Sequence, residues 1–243
     1  MAVASSLLFD PRAVPVMAVD HHLPPVPAER LRAPALRARF ASPPPWRPEV
    51  EREPRFSERN PAEAAVLLPL VQRQAGPTVL LTQRTAHLPT HAGQIAFPGG
   101  KVDPHDASAR AAALREAHEE VGLHPRHVEV IGQMPVYMTG SGFVVTPVVA
   151  LVQPPFELQP NPGEVDAVFE VPLAFLMDPA HHRRHAFDWQ GQQRQWFSMP
   201  YQETLPGTGA PVERFIWGAT AGMLRNLYRF LLAEHGAAVL ESP

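Results

Sequence analysis

Apolar positions along this chain keep two periods. Residues 64–70 (AAVLLPL) and 78–82 (TVLLT) are short apolar, β-branched runs, and residues 72–77 between them have the composition of a turn, so they predict two neighbouring antiparallel strands. Residues 94–97 read as a brief strand. Residues 128–137 and 143–152 (FVVTPVVALV) carry the strongest strand signals and are joined by a glycine-rich stretch over 138–142, which predicts a hairpin with a mobile turn at a site mouth. A second hairpin is predicted for residues 185–189 and 195–199, preceded by His181-His182-Arg183-Arg184 as a solvated basic tip.

The period lengthens to that of a helix in two places. Residues 107–117 are rich in strong helix formers, Asp106 suits the N-cap, and Gly122 stands where a left-handed C-cap is wanted. Within that helix Leu114, Ala117 and Val121 fall on one face, toward a core. Residues 219–235 form an amphipathic helix with Met223, Leu224, Leu227, Phe230 and Leu231 on one side, whose predicted partner is the central sheet. Strands interleaved with two main helices indicate an α/β protein, an α/β/α sandwich around a mixed β-sheet.

Residues 1–60 break both periods. Prolines recur from Pro11 to Pro61 and forbid long helices or central strands there. The expectation is a proline-rich N-terminal arm lying on a domain formed by residues 61–243, with the first twenty or so residues disordered and one short helix built from residues 28–32 and 35–39. A proline-rich partner ligand is the weaker reading, because no regular repeat is present.

At 243 residues the chain is one medium domain with decoration, long enough to bury a core. A net charge of -3 gives no general drive toward nucleic acid or an anionic membrane, so any phosphate site must be local. Without a cysteine there is no disulfide, no thiolate zinc site and no cysteine nucleophile, which fits a cytoplasmic protein. No apolar run is long enough to span a bilayer. The N-terminus lacks a basic leader and is broken by Asp10, Pro11 and Arg12, a poor secretory signal, and Met17 is an alternative start. Nothing in the sequence indicates an oligomeric state.

The chemistry concentrates in the first helix. Glu116, Glu119 and Glu120 place three carboxylates within five residues, a self-repelling arrangement unless a positive charge sits among them. At about 100° per residue all three point away from Leu114. Hard oxygen donors without cysteine suit Mg²⁺ or Mn²⁺ rather than zinc, and the bland alternative is an ordinary solvated acidic face. His87 and His91 have half the spacing pattern of a zinc site, but Pro89 between them spoils the helix such a pair needs.

Gly100, Asp106, Arg115, Glu116, Glu119, Glu120, Gly122 and Leu123 resemble the Nudix box, G-x5-E-x7-R-E-U-x-E-E-x-G-U with U aliphatic. The second half, REAHEEVGL, matches throughout if Ala117 counts as aliphatic. In the first half Asp106 replaces Glu and one extra residue separates it from Arg115, an insertion similar to those of the coenzyme A pyrophosphatase branch. Residues 80–85 and 93–100 resemble that branch's second signature, LLTxR[SA]x3Rx3Gx3FPGG, with Thr85 in place of Ser or Ala and Pro89 where the family has Arg.

The resemblance implies a Nudix-type fold and hydrolysis of the diphosphate of coenzyme A to 3′,5′-ADP and 4′-phosphopantetheine. It implies Glu116 and Glu120 as metal ligands, Glu119 as third ligand or as the residue that deprotonates water, Glu164 as the rival base, and the Gly100 carbonyl as a further ligand. Arg115 is expected as a strut to a carboxylate such as Asp106, with phosphate contact as the alternative. Arg84 is expected to grip phosphate, beside a substrate loop containing Gly93, Phe97, Pro98 and Gly99. Residues 161–173 resemble the family's stretch in which an acidic loop residue precedes a strand and Pro172-Leu173 starts a short helix, and residues 213–218 resemble its last strand. Other substrates of the same class are ADP-ribose, NADH and dinucleoside polyphosphates. A non-catalytic binding module is disfavoured by the retention of all three box carboxylates.

Overall fold

The computed structural model describes residues 10–55, 60–87, 92–189, 192–205 and 207–235. In chain order the elements are β1 (Val16–Val19), α1 (Ala33–Ala41), β2 (Ala62–Val71), β3 (Thr78–Arg84), β4 (Ile95–Ala96), β5 (Gly99–Lys101), α2 (Ala109–Val121), β6 (Val128–Gln133), β7 (Tyr137–Met138), β8 (Phe143–Val152), β9 (Val165–Pro172), α3 (Leu173–Leu176), β10 (Arg183–Trp189), β11 (Gln192–Thr204), β12 (Pro211–Trp217) and α4 (Gly218–Leu232).

The central sheet runs β4-β3-β2-β8-β6, with β5 also on β2, β7 on β8 and β9 on β3. It is mixed, as expected: β2 and β8 pair in parallel from Ala62↔Phe143 to Val71↔Val152, and the other pairings are antiparallel. Strand alternation sends Ala65, Leu67, Val71 and Leu80 to one face, under Ala113, Ala117 and Val121 of α2. Leu68, Leu70, Val79 and Leu81 go to the other, in one core with Leu224, Leu227 and Leu231 of α4. The α/β/α sandwich follows directly.

The predicted β2–β3 hairpin exists but closes only at its turn end, through Leu70↔Val79 and Val71↔Thr78. Beyond that point the strands part, and β5 pairs with β2 through Gly99↔Val66 and Gly100↔Ala65. The glycine loop is thereby set into the sheet beside α2. Residues 128–137 do not form one strand: Pro135 has no N–H for the ladder, and the run divides into β6 and β7.

Three expectations for the arm and its neighbours need correcting. Residues 16–19, expected to be disordered, form β1 and pair with β10 at the edge of a separate antiparallel sheet, β1-β10-β11-β12. The single helix over 28–39 is instead a 3₁₀ turn (Ala28–Leu31) and α1, divided at the extended Arg32, because Pro34 cannot donate back to the preceding turn. The basic tip at 181–184 is not solvated as a unit: His182 is fully buried, and Arg184 pairs with the buried Asp20 at 2.8 Å. Among the described residues no helix is long and apolar enough to cross a membrane.

His182 gives the fold a pH dependence. Arg225 Nη1 donates to its Nδ1 at 3.1 Å, so the proton sits on Nε2, which donates to the Leu176 carbonyl at 2.8 Å. Burial, reinforced by Arg225, pulls its pKa down to about 4. Since the folded value lies below the unfolded one, this contribution is complete above about 6.5 and is lost as pH falls toward 4. Urea denaturation at pH 7 and pH 4.5 should show roughly 2 kcal/mol more loss in the parent than in His182→Gln, which has no such proton to take up.

Candidate active site

The C-terminal half of α2 brings its carboxylates against the glycine loop. The helix is capped by Ser108, whose Oγ accepts the Ala111 N–H at 3.2 Å, and it ends at Gly122 in the left-handed conformation (φ 71°). Asp106 is therefore not the N-cap. Its carboxylate instead receives Arg115 Nε at 3.0 Å and Nη2 at 2.8 Å, so the extra residue in the box leaves the acid–arginine pair intact. The same guanidinium reaches Glu116 at 3.0 Å, Glu119 at 2.8 Å and the Lys101 carbonyl at 3.2 Å. Arg115 is thus a strut that ties the loop after β5 to the acidic face.

Glu120 is 4% exposed. One carboxylate oxygen accepts the Gly99 N–H at 3.1 Å, and the other lies 3.6 Å from Arg84 Nη1 at the end of β3. Burial outweighs both contacts and, with Glu164 and Glu116 nearby, pushes its pKa up to about 7. Glu116 is raised as well, by burial first and then by Glu119 and Glu164. Glu164 belongs to a loop fastened from two sides, by the Thr85 N–H on its carbonyl at 3.0 Å and by the Asn161 N–H on the Glu120 carbonyl at 2.8 Å. Asn161, which in the sequence only opens the stretch 161–173, is the residue whose backbone docks that loop on α2, and the turn-forming Asn161-Pro162-Gly163 marks the place.

The glycines are needed for space. A Cβ on Gly100 would stand 2.5 Å from the Glu116 carboxyl carbon, and one on Gly99 would stand 2.6 Å from Val66 Cα. Gly100→Ala should displace Glu116 and lower kcat by about tenfold or more with little loss of fold, whereas Gly99→Ala meets backbone and should lower the melting temperature as well. Circular dichroism melts alongside steady-state rates separate the two.

The remaining predicted residues divide. Pro98 accepts the Leu67 N–H at 2.8 Å and holds the loop in the sheet. Phe97, expected in the substrate loop, is 2% exposed and packed in the core under α4, so its side chain is structural. Gly93 is exposed, with a left-handed φ of 68°, beside a small cavity of about 160 Å³. Glu119 is turned outward to Arg115. Pro89 and His91 lie outside the described residues.

The donor set fits a hard divalent ion. Every candidate ligand is oxygen, and Glu116 and Glu120 are both raised, by burial first and by neighbouring carboxylates after it, against the pull of Arg115 on one and Arg84 on the other. Among the described residues Arg84 Nε and Thr85 Oγ1 are buried without a hydrogen-bond partner, polar capacity at the same spot. No three acidic or histidine side chains among those residues already converge into a finished ion cage, because Arg115 holds Glu116 and Glu119.

A glycine loop set into a mixed sheet faces a helix that carries an arginine strut and a buried carboxylate, within an α/β/α sandwich of the Nudix type. The NUDIX domain profile matches residues 61–210. The uncharacterized Nudix hydrolases NudL of Shigella flexneri serotype 5b (strain 8401) and of Escherichia coli (strain K12) are each 44% identical to this chain over 182 residues, 74% of this chain and 86% of theirs. Among solved structures, the Nudix hydrolase RenU of M. smegmatis aligns at 28% identity with a TM-score of 0.41, over 47% of this chain and 73% of its own. This chain belongs to the Nudix hydrolase family and is a pyrophosphatase of that family, whose members act on small nucleotide substrates with a divalent ion such as Mg²⁺ or Mn²⁺.

Proposed function

We propose that this protein hydrolyses the diphosphate linkage of coenzyme A or its derivatives to 3′,5′-ADP and 4′-phosphopantetheine. The observation that carries the reading is the meeting of both signatures at one carboxylate: Arg84 from LLTQR and Gly99 from FPGG converge on Glu120 of the box. Glu116, Glu120, Glu119 and the Gly100 carbonyl are the groups that would hold Mg²⁺ or Mn²⁺. A bound divalent ion neutralises phosphoryl oxygens and acidifies water.

The chain's own residues do the rest. Arg84, already at the carboxylate cluster, offers a planar guanidinium to a phosphoryl oxygen. Arg115 positions Glu116 and Glu119 rather than touching phosphate, since its donors are occupied by carboxylates and a carbonyl. Glu164 is our choice for the base that takes the water's proton: it faces Glu116 and Glu120 from a separate loop and lacks an arginine partner among the described residues, whereas Glu119 is bound to Arg115.

The test is a panel of coenzyme A, ADP-ribose, NADH and dinucleoside polyphosphates, each incubated with the protein and Mg²⁺ or Mn²⁺, with products identified by mass. Preferential release of 4′-phosphopantetheine supports the reading. Faster cleavage of any other member of the panel replaces it.

A further inference from the structure

Clefts walled by a few fixed polar groups are where small ligands bind. A cleft of about 550 Å³ lies where the arm, the β10–β11 hairpin and the first turn of α4 meet. Its arm wall is firmly built. Asn226 Oδ1 accepts the N–H groups of Glu49 and Val50, both at 3.0 Å, and Asn226 Nδ2 donates to the Val50 carbonyl at 2.7 Å. Further along, Glu53 accepts the Tyr137 hydroxyl at 3.0 Å and the Gly140 N–H at 2.9 Å. These bonds fix an irregular proline-rich segment along one side of the cleft.

The opposite wall carries a specific pattern. Gln193, Gln195 and Phe197 alternate along β11, share a face and line the cleft. Gln195 Nε2 donates to Gln193 Oε1 at 2.9 Å. That bond leaves Gln195 Oε1 as an acceptor beside Gln193 Nε2 as a donor. The complement is an amino group next to a ring nitrogen, which is the edge adenine presents through N6 and N7. Of the two arginines lining the cleft, Arg184 is occupied by Asp20 and Glu49, while Arg52 has no ion-pair partner among the described residues. Arg52 is the guanidinium available to a phosphate.

We propose that this cleft binds an adenine nucleotide, with the base edge on the Gln193–Gln195 pair and a phosphate on Arg52.

Calorimetric titration of the full chain in chelator, with adenosine 5′-monophosphate and inosine 5′-monophosphate, tests the site without turnover. Inosine places a carbonyl where adenine has its amine, against Gln195 Oε1. The parent should bind the adenosine nucleotide at least about fivefold more tightly than the inosine one. Gln193→Ala/Gln195→Ala should lose that preference, and Arg52→Ala should weaken both nucleotides alike. Both glutamines are exposed, so the double variant is expected to melt like the parent. Equal affinity for the two nucleotides in the parent, or a preference that survives the double substitution, overturns the site. A retained preference in a protein that does not cleave coenzyme A would sink the substrate reading and leave the cleft standing; cleavage without preference does the reverse.

Discussion

Glu120→Gln is expected to lower kcat by about a hundredfold or more while making the metal-free protein more stable. The two effects have one cause. Glu120 is 4% exposed and faces Glu116 and Glu164, and among the described residues the Gly99 N–H and a guanidinium at 3.6 Å offset its charge. Glutamine has the same shape and keeps an oxygen for the Gly99 N–H, but it removes a charge that the folded chain alone does not solvate. The gain should be roughly 1 to 2 kcal/mol, read as a melting point raised by a few degrees in chelator. Adding Mg²⁺ or Mn²⁺ should raise the parent's melting point and leave the variant's nearly unmoved, because stabilisation by a ligand requires its site. Parental turnover in the variant would remove Glu120 from the ligand set. A lowered melting point would make the carboxylate a structural partner of Arg84 instead.

That the stabilising and the catalytic demands oppose each other at Glu120 was only half legible in the sequence. The acidic spacing of Glu116, Glu119 and Glu120 is local, and so are the apolar, β-branched runs of β2 and β8 and the apolar face of α4; all three were readable because run composition and helical spacing are properties of neighbouring residues. Which carboxylate is buried was not readable, since that depends on the parting of β2 from β3 and on β5 filling the gap. Asp106 shows the same limit. Its composition favours an N-cap, yet Ser108 takes that place and Asp106 pairs with Arg115, nine residues away and across a loop. Phe97 reads as part of a substrate signature, and only the tertiary packing reveals that its ring belongs to the core. The arm was misread for a related reason. Prolines correctly exclude long regular elements, but they do not exclude a four-residue edge strand whose stability comes from β10 and from charges far along the chain.

Those charges set the largest expected change in stability. Arg225 is 1% exposed and pairs with Asp20 at 3.0 Å and with Glu49 at 2.7 Å, while its guanidinium lies 5.1 Å from the ring centres of Phe197 and Tyr228. Burial pushes the Asp20 carboxyl up, yet the Arg184 and Arg225 pairs outweigh it and hold the group below the usual carboxylate range. Arg225→Ala removes one of the two cations and leaves Asp20, 3% exposed, with Arg184 alone. Taking one of two cationic partners from a buried carboxylate, together with the packing of a side chain that is 1% exposed, costs about 3 to 5 kcal/mol, which for a chain of this size is a fall in melting temperature on the order of 10 °C. Because Asp20 and Glu49 both lie in the arm, loss of the pair should loosen residues 20–55 first, and limited proteolysis should cut there well before the sandwich opens. A double substitution separates charge from packing. If Asp20→Asn in the Arg225→Ala chain restores much of the lost stability, the under-compensated carboxylate was the cause; if it restores none, the loss belongs to the arginine's contacts with Phe197 and Tyr228, and the arm is held by shape rather than by charge.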